Sequence, residues 1–322
     1  MNEQGEIKMK PELGLVCITA SEAVRYRTIT RKRLLEFDEA TQREKLRELY
    51  AANLERFNNA ITYCQENGIR LYRLTSGLFP FADEPFGLEV LHEIKDELAA
   101  AGGRANANGL RVVLHPDQFV VLSSDSPTVV ENSLKILRMH AEIFDLLQQP
   151  RSEWALMNIH GGKGGRPDRL VENILALPEN IRSRITFEND EHAYNSQQIL
   201  EVCKRANVPF VFDAHHHVCS ENLDSYDHSS VEEMFWAARE TWKNPDWQLV
   251  HISNGRETFG ERSHSDVVTV MPKVFRHAPW IEIEAKHKEI AIEKLKNEWL
   301  CKLDLPEGGQ AVVFPAIHSA NA

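Results

Sequence analysis

The sequence predicts an α/β protein built as a single-domain (β/α)8 TIM barrel. Three observations carry this. Eight short apolar, β-branched-rich runs recur along 322 residues. Stretches of helical period separate most of them. The runs are near-continuously apolar, as strands buried on both faces of a parallel sheet are. Eight such units in a chain of this length favour a closed barrel over an open sheet.

The first strand is expected at residues 13–18 (LGLVCI), followed by a long amphipathic helix over 41–66. The second strand (69–74, IRLYRL) precedes a helix at 88–101, and the third (110–115, LRVVLH) precedes one at 128–147. After the fourth strand (154–160, WALMNIH) no helix is clearly marked. The fifth (184–188, RITFE) leads to a helix at 196–206, and the sixth (209–213, PFVFD) to one at 231–242. The seventh (247–252, WQLVHI) again lacks a marked helix. The eighth (281–284, IEIE) is followed by 286–300, where Ile292, Leu295 and Trp299 share a face. No repeat, low-complexity segment or Pro/Gly/Ser-rich linker divides the chain. Residues 1–305 are therefore expected to form the barrel domain, and 306–322 (PEGGQAVVFPAIHSANA) a loosely held tail.

Composition is that of an ordinary soluble protein, 42% hydrophobic and 26% charged. No apolar run approaches the ~18 residues that span a bilayer, so no membrane association is expected. The polar start, MNEQGEIKMKPELG, lacks an apolar signal core, and the expected location is cytoplasmic. Cys17, Cys64, Cys203, Cys219 and Cys301 form no CxxC pair, which argues for a reducing compartment and against a thiolate zinc site. The net charge of −11 does not advertise a nucleic-acid partner. Carboxylates that hold divalent cations are counted in that figure and their cations are not, so local patches decide.

The segment PFVFDAHHHVC (209–219) sets one carboxylate and three histidines behind a buried strand, and the pattern recurs. His115 ends the third strand, His160 the fourth, Glu188 the fifth, and Asp213 the sixth with His216 three residues on. His251 lies near the end of the seventh, His264 follows in its loop, and Glu284 ends the eighth. In such a barrel the carboxyl ends of the strands carry the chemistry, so these eight residues converge on one pocket. Uncompensated buried charge is costly, which points to bound cations. Nitrogen and oxygen donors without thiolates suit Mn2+, Zn2+ or Fe2+, and eight donors suit two or three ions, with Glu188 able to bridge two. His215 and His217, alternating in direction around His216, are expected to support the ligands from behind or to be structural. Asp266 is expected to orient His264 or to join the ligands.

The chain resembles the UV damage endonucleases, xylose isomerase-like TIM-barrel enzymes related to the apurinic endonucleases. The resemblance rests on NLERFNNAITYCQENGIRLYRLTS (53–76), LHPDQF (114–119), NIHGGKGG (158–165), FEND (187–190), FDAHHH (212–217), HISNG (251–255) and IEAK (283–286). Their order and spacing on successive strands are the specific part. The resemblance implies a Mn2+-dependent repair endonuclease. It would nick one strand of double-stranded DNA immediately 5′ to a UV photoproduct and leave a 3′-hydroxyl and a 5′-phosphate. It carries over the same eight metal ligands, and Gln118 with Phe119 as the pair that pushes into the duplex. Three positions depart from the family pattern. Leu249 stands where a carboxylated lysine is often found, Leu15 and Thr19 replace Tyr and Asn, and Phe119 replaces Tyr.

Phosphodiester cleavage needs a strong nucleophile and charge stabilisation at the phosphate, which bound ions supply. Glu188, Asp213, His251 and Glu284 are expected to hold the ions at the scissile phosphate. His115 and His160 would complete one outer site, and His216 and His264 the other. RYRTITRKR (25–33) offers Arg25, Arg27, Arg31, Lys32 and Arg33 to phosphates on the catalytic rim, and Lys163 and Arg166 add to them. A monomer is expected. Two other readings stand beside this one: a metal-dependent sugar isomerase or epimerase on the same barrel, and a damage-binding protein with weak cleavage.

Overall fold

Eight parallel strands close on themselves in sequence order. They are β1 (Glu12–Val16), β2 (Leu71–Leu74), β3 (Arg111–Leu114), β4 (Met157–His160), β5 (Ile185–Glu188), β6 (Phe210–Asp213), β7 (Leu249–Ile252) and β8 (Trp280–Ile283). β8 returns to β1 with Glu12 opposite Trp280, so the sheet has no edge. The computed structural model describes residues 10–116 and 119–304; Gln118 and the 306–322 tail therefore lie outside the described residues.

The helices have local causes. Asp38 caps the long helix Glu39–Glu66 by accepting from the Thr41 backbone N–H at 3.0 Å. Asn195 and Gln198 form a reciprocal capping box on helix Ser196–Ala206. The helix expected at 88–101 is two helices, Pro85–Glu93 and Lys95–Ala107, joined at Ile94. Gly102 sits where any Cβ would collide with the Leu147 carbonyl, which lets that layer close over β3. After β4 two short helices form, Pro167–Leu175 and Glu179–Arg182, the first burying only Leu170, Val171 and Ile174. After β7 the crossover has a 3-10 turn, Lys273–His277, and no α-helix. There Asn254 pins the loop, accepting from the backbone N–H groups of Thr269 (2.8 Å) and Val270 (3.0 Å).

Side chains at the amino ends of the strands fill the barrel floor. Leu71, Val113, Leu156, Val211, Leu249 and Trp280 form an apolar layer backed by Trp242. Below it Arg111 is buried between the rings of Trp154 and Trp280 and donates to the carbonyls of Glu153, Trp154 and Trp247. The opposite end is polar.

Candidate metal centre

The strand pleat turns alternate residues inward, so a residue ending one strand and its counterpart on the next meet at the mouth. Three linked groups result: His115, His160 and Glu188; Glu188, Asp213 and His216; Asp213, His251 and Glu284. Within each group the potential donor atoms lie within 4.8 Å of one another. Glu188 and Asp213 each belong to two groups, which makes a chain of three positions. Seven of the eight expected ligands are members. His264 flanks the third group, its Nδ1 3.9 Å from Glu284 Oε2.

The outer histidines are oriented by what holds Nδ1. His115 Nδ1 is 2.9 Å from the Pro116 carbonyl, His264 Nδ1 is 2.8 Å from the Glu284 carbonyl, and His216 Nδ1 is 2.5 Å from Glu191 Oε2. With Nδ1 donating, the neutral ring keeps its lone pair on Nε2, the atom that would face a cation. His115 Nε2 then lies 3.5 Å from Glu188 Oε2, and His216 Nε2 3.7 Å from Glu188 Oε1. Burial works against charge on His216, but Asp213, Glu191 and Glu188 outweigh it and push its pKa up to about 10. The contact with His216 holds Glu191 down to about 2.

The carboxylates are also fixed. Asn158 donates to Glu188 Oε2 at 2.6 Å and accepts from the Thr186 hydroxyl at 2.9 Å. Asp213 caps the helix Ala214–Ser220, its Oδ1 accepting from the His216 backbone N–H at 2.7 Å. That helix corrects the strand-like alternation expected of the triple histidine. His216 faces the carboxylates. His215 meets Tyr226 Oη (2.6 Å) and the Glu261 carbonyl (2.8 Å), and His217 lies between Ser196 (2.9 Å) and Ser230 (3.1 Å). Asp266 is exposed, with His287 at 3.9 Å, outside the three groups.

Beneath the third group lies a pair that the sequence reading missed. Arg73 reaches across from β2 to Glu282, with Nε 2.9 Å from Glu282 Oε2, and its Nη2 lies 2.6 Å from Glu284 Oε1. Glu282 Oε2 is 2.5 Å from His251 Nε2. Glu282 precedes Glu284 by two residues, so the period of the strand was a usable signal for it. Leu249 belongs to the apolar floor layer and offers no donor to the groups above it.

The donors fit divalent ions. Asp213 Oδ2 and His160 Nδ1 are buried without a hydrogen-bond partner among the described residues, as metal-directed atoms would be. Burial opposes charge on Glu188, yet His251 and His160 keep it ionised well below the usual carboxylate range. Glu284 is likewise held low, by Arg73 and His251 against its burial. Buried carboxylates facing imidazoles without sulfur match Mn2+, Fe2+ or Zn2+.

Around the mouth, Phe119 is 67% exposed. Arg27 and Lys32 are exposed and form no ion pair among the described residues. Their neighbours have acidic partners: Arg25 with Glu22 (4.0 Å), Arg31 with Glu84 (3.2 Å) and Arg33 with Glu36. Lys163 and Arg166 converge on Asp125, at 3.0 and 2.7 Å.

The family described as UV-endonuclease UvdE matches residues 11–310. The chain belongs to this family. It is 57% identical over 293 residues to a UV DNA damage endonuclease of Nostoc sp., covering 90% of this chain and 91% of that one. A UV DNA damage endonuclease of Deinococcus radiodurans is 43% identical over 289 residues, covering 89% and 95%. Membership of the UvdE family makes this chain a UV damage endonuclease. In three dimensions it is similar to SacUVDE, with a TM-score of 0.75 at 24% identity over 89% of this chain and 98% of that one. It also resembles a xylose isomerase domain protein from Planctomyces limnophilus, with a TM-score of 0.55 at 11% identity over 92% and 98%. Both likenesses concern the TIM-barrel fold.

Proposed function

We propose that this UvdE-family chain is a divalent-metal-dependent DNA repair endonuclease that nicks one strand immediately 5′ to a UV photoproduct, leaving a 3′-hydroxyl and a 5′-phosphate. The observation that carries the reading is the chain of three carboxylate–histidine groups sharing Glu188 and Asp213 at the barrel mouth. Two or three ions, Mn2+ first among the candidates and Zn2+ or another divalent ion as alternatives, would supply an activated water at neutral pH and charge stabilisation at the phosphate.

The chain's own residues do the rest. Glu188 and Asp213 would each serve two positions, and His251 and Glu284 would complete the third. His115 and His160 close one end, His216 serves the middle position between Glu188 and Asp213, and His264 flanks the other end beside Glu284. Glu191 and the Pro116 and Glu284 carbonyls fix which imidazole nitrogen faces inward. Arg27 and Lys32 take DNA phosphates, with Arg25, Arg31, Arg33 and Lys163 beside them once their acidic partners are exchanged for phosphate. Phe119, with Gln118, enters the duplex where a lesion has weakened stacking, which selects damage without reading base sequence. The enzyme acts as a monomer on double-stranded DNA. Among the described residues no helix is long and apolar enough to cross a membrane.

The test is a UV-irradiated supercoiled plasmid incubated with purified protein and Mn2+, with an unirradiated plasmid as control and the cut ends mapped on a sequencing gel. Nicking confined to irradiated plasmid, with the expected ends, supports the reading. Binding without nicking points to a damage-recognition protein, and neither binding nor nicking overturns it.

A further inference from the structure

β2 supplies none of the eight ligand-type residues, yet Arg73 from its centre lies inside the donor shell. The side chain is buried, and its guanidinium contacts two of the three members of one group. Nη2 is 2.6 Å from Glu284 Oε1 and 3.0 Å from His251 Nε2. Among the described residues, no Arg or Lys ion pair reaches Glu188 or Asp213. The three positions are therefore unlike. Two are built from carboxylates and imidazoles alone, and the third shares its outer carboxylate with a permanent cation.

Glu282 sets how strongly that cation acts. It receives both Nε and Nη2 of Arg73, and its Oε2 also faces His251 Nε2. Its charge offsets that of the guanidinium beside it. Between unit charges a few ångströms apart in a partly buried site the interaction amounts to several RT, enough to rank three neighbouring cation positions.

We propose that Arg73 is a positioning residue that makes the Asp213–His251–Glu284 position the low-affinity one of the three, filled last and emptied first. The pair divides its work. Arg73 opposes the last ion, and Glu282 moderates that opposition while tying Arg73 to the floor. Opposite signs for the two residues follow, which a purely structural ion pair would not produce. The proposal rests on the metal-centre reading above.

The experiment titrates chelator-stripped full-length protein with Mn2+ and follows the free-ion electron paramagnetic resonance signal, with thermal unfolding as a check on folding. Wild type, R73K, E282Q and R73M/E282Q are compared. Wild type is expected to show one ion bound more weakly than the others. R73K keeps that pattern. E282Q weakens the last ion further, because the guanidinium then acts on Glu284 alone. Relative to E282Q, the R73M/E282Q variant binds the last ion on the order of tenfold more tightly, since only a positive charge has been removed. The tighter ions stay in place throughout. If R73M/E282Q does not fold, R73Q/E282Q, which retains polar partners for the floor, serves the same comparison. Weaker binding of the last ion after loss of Arg73, or a shift confined to the tight ions, overturns the proposal while leaving the metal centre standing. Folded wild type that binds no Mn2+ overturns both.

Discussion

His216 Nδ1 lies 2.5 Å from Glu191 Oε2, and this contact turns Nε2 of the same ring toward Glu188 and Asp213. Carboxylates that hold the far nitrogen of a ligand histidine fix its tautomer and raise its basicity. Replacing Glu191 by Ala is expected to raise the Mn2+ concentration for half-maximal nicking by about 10- to 100-fold. Nicking rates measured across a Mn2+ series check this; an unchanged requirement would remove Glu191 from the centre.

Glu188 joins two of the three groups, so its loss breaks the chain of positions. Glu188→Gln is expected to lose nicking and at least one bound Mn2+ while unfolding at a temperature close to wild type. Metal analysis after dialysis and thermal unfolding test it. Full activity in this variant would refute the proposed site.

Arg27 and Lys32 are the stretch's two cations without acidic partners among the described residues. Changing both to Ala is expected to weaken binding to any duplex and to lower the slope of log K against log salt by about 1 to 2. Fluorescence anisotropy over a salt series gives the slope, and an unaltered slope places them off the interface.

Phe119 presents a largely exposed ring near the mouth. Phe119→Ala is expected to narrow the gap in affinity between irradiated and unirradiated DNA and to leave Mn2+ content unchanged. Competition binding with both DNAs measures the gap.

His140 is buried in the helix Pro127–Leu146, and burial lowers its pKa from 6.5 to about 3. Between those values the unfolded chain holds a proton that the folded chain refuses. Stability is therefore full above about pH 6.5 and falls as pH drops toward about 3, by ~2 kcal/mol on reaching about pH 5. His140→Leu is expected to flatten this part of the acid limb. Urea midpoints at the two pH values, compared between variant and wild type, would expose a failure.

The strands were legible because each is a short apolar run, and the centre was legible because six of those runs end at or near a His, Asp or Glu. Arg73 and Glu282 were not, since a charge within an apolar run reads as a strand imperfection until closure sets β2 and β8 on either side of β1 and brings the two side chains together. In the triple histidine His216 meets the carboxylates and its two neighbours do not, as expected, but Asp213 starts a helix at once, so their directions follow helical rather than strand geometry. The weak helix after β4 escaped notice because it buries only three side chains. The pairing of rim cations was hidden for a different reason: Arg31 meets Glu84, 53 residues away, and no local pattern foretells that.

The apolar layer of Leu71, Val113, Leu156, Val211, Leu249 and Trp280 turns the barrel into a blind well. Whatever reaches Glu188 must pass the rim on which a duplex would land. A seated duplex would then also be a stopper, and a chelator added to the preformed DNA complex is expected to strip bound ions no faster than the DNA lets go.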